Sequence, residues 1–298
     1  MKNKLNRRQF ITRTIGAGAG VYILGNPVFP QTQINKTVIK DPLQEITIGR
    51  TGIKTTFLGM GTGYSGGNNY SNRTRAKVAE ALIRQAYEKG VRFFDCADSY
   101  GTHPYVAAAL KGIPRENYVI VTKMWAEQHN QGGIDADVAI DRFRKELNID
   151  YIDIVQIHCM TDPQWTDKQK KQMDILENLK NKNIIKAHGV SVHSLDAMKT
   201  AAESSWVDVI HVRINPYGEA MDEKDPALVV PVIEKLHNSG KGVIGMKLAG
   251  NSSLNNYSEK IDNSLKYVLG LGSVDLITIG FEKPEQIDDY MARIKRAV

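Results

Sequence analysis

The sequence predicts an α/β fold, a closed (β/α)8 TIM barrel preceded by an N-terminal β-hairpin, on three observations. Eight apolar, strand-like runs alternate strictly with eight helical patterns over about 250 residues, as a barrel requires. The strand runs are continuous and β-branched, as parallel strands buried on both faces must be. No G-x-G-x-x-G follows a strand. GAGAG at 16–20 lies upstream of every unit and GMGTG at 59–63 lacks the spacing, which argues against a doubly wound dinucleotide-binding sheet.

The elements follow in order. Residues 1–30 contain Lys2, Lys4, Arg7, Arg8 and Arg13 and no acid, so they carry five of the six net positive charges of the 298-residue chain. The remainder is nearly neutral, which removes the case for a nucleic-acid partner. Within this segment NRRQFITRT precedes IGAGAGVYILG, a mildly apolar run too short for a permanent membrane span. The paired arginines ahead of Phe10 resemble a twin-arginine export signal. The resemblance implies passage through the twin-arginine translocation machinery to the periplasm; a plain basic tail would leave the protein cytoplasmic. Residues 31–43 read as a linker and 44–298 as the barrel domain, which opens with EITIGRTGIKTT, an alternating run with a Gly-containing turn typical of a hairpin.

The eight units begin at TTFLGMG, VRFFDCA, YVIVTKM, DIVQIHC, AHGVSV, DVIHVRI, GVIGMKL and VDLITIG. Each is followed by a stretch with apolar residues three and four apart, as Val78, Leu82 and Ala86 show in the first. Cys96 and Cys159 end strands that are second neighbours in barrel order, about 9–10 Å apart and too far for a disulfide. Two free thiols are expected, and a pair of cysteines is too few for an iron–sulfur cluster.

Barrel enzymes place their chemistry at the C-terminal ends of the strands. Polar residues there are few: Asp95 and nearby Tyr100 after the second strand, Lys123 on the third and His158 on the fourth. Ser191 and His193 follow the fifth, His211, Arg213 and Asn215 mark the sixth, and Lys247 the seventh. An acid, a lysine and a tyrosine at one mouth have a chemical logic. An ammonium favours the phenolate, so Lys123 is expected to lower the Tyr100 pKa and ready it to protonate an alkoxide. Asp95 holds Lys123 charged by an ion pair, and His158 orients a substrate carbonyl.

These residues resemble the aldo-keto reductase superfamily over almost the whole chain after residue 44. GVRFFDCADSYG is similar to its G-x-R-x-x-D-x-A-x-x-Y-G signature, VIVTKMW to its lysine strand and YIDIVQIH to its Y-x-D-x-x-x-x-H strand. The resemblance implies a catalytic tetrad of Asp95, Tyr100, Lys123 and His158, with Tyr100 as proton donor. It implies hydride transfer between NAD(P)H and an aldehyde or ketone. Gly61, Thr62, Ser191, His211, Met246, Lys247, Gly280 and Gln286 are then the expected cofactor contacts. Val192 stands where the family has asparagine after the nicotinamide-binding serine, so His193 is expected to substitute; His211 replaces a common glutamine and Met246 a stacking aromatic ring. ITIGFEKPEQIDDY is similar to the adenosine-gripping segment, with Gly280, Phe281 and Gln286 at positions where NADP-preferring members carry Lys, Ser and Arg. Lys283 is the nearest cation for a 2′-phosphate, so NADP is expected ahead of NAD. Short substrate loops point to a polar substrate such as a sugar or keto-sugar.

Two other classes compete. A metal-dependent barrel isomerase or hydrolase could draw on His103, His158, His193, His211 and Asp95, but leaves Lys123 as an unfavourable cation beside the metal. A catalytically quiet nucleotide-binding barrel is the other, since fold alone does not imply turnover.

Overall fold

A computed structural model describes residues 38–63, 76–125 and 134–298. The signal segment, most of the linker and the start of the first predicted helix lie outside the described residues.

β1 (Glu45–Thr47) and β2 (Lys54–Thr56) pair antiparallel, with Glu45 opposite Thr56. Their turn is closed by Ile48 N donating to Ile53 O at 2.9 Å and Thr51 Oγ1 to Ile48 O at 2.7 Å. Gly49 and Gly52 take the left-handed conformation there, which only glycine adopts without steric cost.

The barrel strands are β3 (Leu58–Gly61), β4 (Phe93–Asp95), β5 (Val119–Met124) and β6 (Ile152–Met160), then β7 (Ile185–Val192), β8 (Val209–Arg213), β9 (Gly242–Met246) and β10 (Leu276–Gly280). Each pairs parallel with the next and β10 returns to β3, closing the ring of eight. Outside run α1 (Ala76–Glu88), α2 (His103–Ala109), α3 (Ala136–Leu147), α4 (Trp165–Lys168) and α5 (Lys170–Asn181), then α6 (Leu195–Glu203), α7 (Pro226–Asn238), α8 (Ser258–Leu271) and α9 (Pro284–Ala297). Their amphipathic spacing buries Ile140 and Phe143, for example, from α3 against the strands. Ring closure also demands small residues. A Cβ on Gly189 of β7 would lie 1.8 Å from Val209 O of β8, so no side chain fits there.

The hairpin seals the N-terminal end of the barrel. Arg50 N donates to Gly240 O at 2.9 Å, and Gly49 N to Asp275 Oδ2 at 3.2 Å, just ahead of β9 and β10. Ile48 fills the space that a side chain at Gly242 would occupy. With that end closed, the C-terminal end is where strand-end side chains converge.

Candidate active site

Asp95 ends β4, Lys123 lies on β5 and His158 near the end of β6, so three successive strands carry three of the four expected catalytic side chains to one place. Lys123 Nζ is ion-paired with Asp95 Oδ1, the two side chains being 1% and 8% exposed, and donates a second hydrogen bond to Cys96 O at 3.0 Å. The Lys123 nitrogen stands 5.2 Å from the centre of the Tyr100 ring, and that ring meets His158 edge-on at 6.0 Å.

Tyr100 comes from a short 3-10 turn, Asp98–Tyr100, ended by Gly101 in the left-handed conformation. The segment is pinned at both ends. Asp98 pairs with Arg142 of α3 at 2.9 Å, Arg142 with Glu146 at 3.0 Å, and Glu146 with His103 Nδ1 at 2.8 Å. His103 Nε2 meets Thr122 Oγ1 at 2.8 Å on the outer face of β5. His103, a potential metal ligand in the sequence, is thus committed behind the barrel wall. Among the described residues no group of three or more His, Cys, Asp or Glu side chains could hold a metal ion.

The electrostatics correct one expectation. Burial pushes the Tyr100 phenol above its ordinary value, and the Lys123 ammonium opposes this without overcoming it. The sequence-based expectation of a lowered value omitted this desolvation. Burial also disfavours the charged form of Lys123, but the Asp95 and Tyr100 charges and the Asp95 hydrogen bond hold its pKa above the usual lysine value. Asp95 is raised by burial, with Lys123 pulling against it.

The expected cofactor contacts divide into two groups. Gly61 and Gly280 sit side by side at the ends of β3 and β10, leaving bare backbone at the mouth. Met246 ends β9, and Lys247 follows in the left-handed conformation with Nζ donating to Asn251 Oδ1 at 2.8 Å. Like Lys247, Thr62, Ser191, His211 and Gln286 spend side-chain atoms on the protein. Thr62 Oγ1 donates to Asp95 O at 2.9 Å, and Ser191 Oγ accepts from Cys159 N at 2.8 Å. His211 is fully buried, with Nδ1 2.7 Å from Gln156 Oε1 and Nε2 3.7 Å from Asp95 Oδ2. Gln286 Oε1 caps α9 by accepting from Glu282 N at 2.6 Å and Lys283 N at 3.1 Å.

Sequence reasoning assigned no role to Trp125, whose ring lies 4.7 Å from that of His158. The signal was present: Trp125 is two residues beyond Lys123, and a period of two puts both on one strand face. It also missed the linked set of Cys159, His193, Arg213 and Asp222. Cys159 has φ +64° where the β6–β7 register shifts, an irregularity that turns its thiol towards β7. Both cysteines are free thiols.

The closed (β/α)8 barrel thus brings a buried lysine–aspartate pair beside a tyrosine and a histidine at the C-terminal ends of its strands. The Aldo/keto reductase family profile matches residues 57–265, and the chain belongs to that family, whose members carry out NAD(P)H-dependent carbonyl reduction. Among relatives, NADH-specific methylglyoxal reductase of Escherichia coli is 24% identical over 65% of this chain and 68% of its own length. Glycerol 2-dehydrogenase (NADP(+)) of Saccharomyces cerevisiae is 32% identical over 42% of this chain and 36% of its own. The matches therefore span from about a third to two thirds of these relatives. Of solved structures, an aldo-keto reductase from Bacillus halodurans in its holo form superimposes with a TM-score of 0.67 at 18% identity, covering 85% of this chain and 94% of that one. An aldo-keto reductase from a Medee basin deep-sea metagenome gives a TM-score of 0.61, also at 18%, covering 84% and 94%.

Proposed function

We propose that this chain reduces a small, polar aldehyde or ketone, with Tyr100 as proton donor and Asp95, Lys123 and His158 completing the catalytic set. The observation that carries the reading is the buried Lys123–Asp95 ion pair beside Tyr100 and His158. A charge pair of this kind costs several kcal/mol of desolvation per ion, roughly, and needs a chemical or structural return.

The residues present fit a dinucleotide. The glycine pair leaves room at the mouth, Met246 offers a polarisable surface for a flat ring, and Lys247 a cation for the pyrophosphate. The remaining expected contacts, Thr62, Ser191, His211 and Gln286, are hydrogen-bonded to the surrounding protein. Lys283, at the start of α9, favours NADP over NAD. Bound at the mouth, the nicotinamide supplies the hydride.

The protein's own residues handle the proton. Tyr100 Oη gives its proton to the developing alkoxide oxygen, and the resulting phenolate faces the Lys123 ammonium. Asp95 keeps that ammonium charged. His158 donates a hydrogen bond to the carbonyl oxygen and fixes its direction, and Trp125 walls the same space against water. The small oxygenated molecules in the names of the two relatives, methylglyoxal and glycerol, support a substrate of that kind.

The reading is tested by titrating the protein with NADH and NADPH, following fluorescence, then profiling sugars and small carbonyls by absorbance at the nicotinamide band. Saturable binding, tighter for NADPH, and turnover of small polar carbonyls are expected. Failure to bind either nucleotide, or reduction of bulky apolar ketones alone, would sink it.

The twin-arginine pattern further supports export of the folded protein with its cofactor already bound. Fractionating cells that carry the wild type and an Arg7→Lys/Arg8→Lys double variant checks this. The wild type is expected outside the cytoplasm with nucleotide attached and the variant inside; equal cytoplasmic retention of both rules out the signal.

A further inference from the structure

Asn215, one of the polar residues at the strand ends, has no part in the chemistry above. It lies two residues beyond β8 and is fully buried. Nδ2 donates to Glu219 O at 2.7 Å and to Lys247 O at 3.1 Å, and Oδ1 accepts from Tyr217 N at 3.0 Å and Glu219 N at 3.2 Å. An amide side chain has two N–H groups and two lone pairs on its oxygen, so all of its hydrogen-bonding capacity is spent on backbone. Three of these bonds shape the loop after β8. The fourth crosses to the loop after β9.

That crossing bond falls on a strained residue. Lys247 has φ +64°, a conformation that is costly for any side chain but glycine and persists only where the surroundings impose it. Those surroundings are the chain at 214–215 and the turn ahead. Ile214 N donates to Met246 O at 3.1 Å, Asn215 Nδ2 takes the next carbonyl, Lys247 O, and Gly250 N donates to that same oxygen at 2.9 Å.

The strained backbone decides where the ammonium goes. Successive side chains of an extended chain take opposite faces, and the left-handed turn at Lys247 breaks that alternation at the end of β9. Lys247 Nζ donates to Asn251 Oδ1 at 2.8 Å, a neutral partner, and among the described residues it forms no ion pair. Burial pushes the ammonium below the usual lysine value; Arg213 and Lys123 push the same way and Asp95 opposes. The charges that act on it are therefore those of the mouth. A partly buried cation with no counter-charge is suited to an incoming anion.

We infer that Asn215 is a positioning residue for the dinucleotide: it holds the Lys247 backbone in the left-handed turn that carries the ammonium to the pyrophosphate, and itself touches no ligand. This rests on the reading of Lys247 as the cation for the pyrophosphate.

The test is fluorescence titration of the full-length protein with NADPH and with NADH. It compares wild type, Asn215→Ser, Asn215→Leu, Lys247→Met and the double variants. Lys247→Met should weaken binding by about tenfold or more, as loss of a hydrogen bond to a charged group does. Each Asn215 variant should weaken it too, and by the same factor for both nucleotides, because they share the pyrophosphate. Added to Lys247→Met, an Asn215 change should cost no further affinity, to within about twofold, since its effect passes through a side chain already removed. A merely structural residue would add its loss in full.

Thermal melts show which variants fold, serine being the milder change because it keeps a hydroxyl. Asn215 variants that bind as the wild type does, losses that differ between NADPH and NADH, losses that add to that of Lys247→Met, or failure of both variants to fold overturn this inference alone. Wild-type affinity in Lys247→Met overturns the pyrophosphate assignment and this inference with it, leaving the proton chemistry of Tyr100 standing. A wild type that binds neither nucleotide overturns the reductase reading as well.

Discussion

Tyr100 is assigned a proton to give, yet burial holds that proton on more firmly than water would. The sign follows directly. A donor whose pKa is raised stays protonated to higher pH, so the basic limb of kcat/KM for reduction should fall above about pH 10, the ordinary phenol value, rather than below it. A limb well below that value would show that Lys123 outweighs desolvation in the enzyme before substrate binds. Tyr100→Phe should lower reduction by about 100- to 10,000-fold while leaving nucleotide binding intact, and fluorescence titration beside steady-state rates checks both halves. His211 shows how residue roles shift with context. At a strand end in the sequence it reads as a cofactor contact, whereas in the fold it is fully buried and bonded to Gln156 behind Asp95.

At the scale of elements, the barrel wall is held to close tolerances by residues without side chains. Gly189 of β7 lies against the Val209 carbonyl of β8, where an added methyl would sit 1.8 Å from oxygen. Backbone cannot yield as a flexible side chain can. Gly189→Ala should therefore destabilise by at least about 1–3 kcal/mol, the usual cost of overpacking, and a urea melt measures it. Loss of activity should accompany it, because β7 and β8 carry Ser191, His211 and Arg213. The Asp98–Arg142–Glu146–His103–Thr122 chain works similarly, tying the turn that carries Tyr100 to α3 and β5. Histidine at the head of α2 gains its meaning from that chain and not from its own neighbours in sequence.

Across the whole molecule, Asp222 gives a pH signature of stability. Burial raises its pKa from an ordinary 3.8 to about 6, against the pull of Arg213. The folded protein then binds that proton more tightly than the unfolded chain does. Its contribution to stability is fully present below the unfolded value and is lost as pH rises through about 6. Asp222→Asn should remove this decline, so melts of wild type and variant between about pH 4 and pH 7 should diverge with a slope of that sign. A pH-independent difference would mean that the carboxylate is not strained by its burial.

What the sequence determined by itself was the architecture and a set of candidate site residues. Continuous β-branched runs and helical spacing are local patterns, and eight of them in strict alternation leave a closed barrel as the economical solution. The rule that chemistry sits at strand ends then singles out Asp95, Lys123 and His158 without knowledge of contacts. What only the tertiary structure decided was how these and their neighbours pair. Whether the Tyr100 phenol rises or falls depends on how deeply it is buried. Whether Thr62, Ser191 and Gln286 face a ligand or the protein depends on which backbone groups lack partners nearby. The joining of Cys159, His193, Arg213 and Asp222 needs ring closure and a left-handed residue in β6, both of which depend on three-dimensional packing. Periodicity encodes which face a side chain takes, but hydrogen bonds and desolvation are set across strands by residues far apart in the chain.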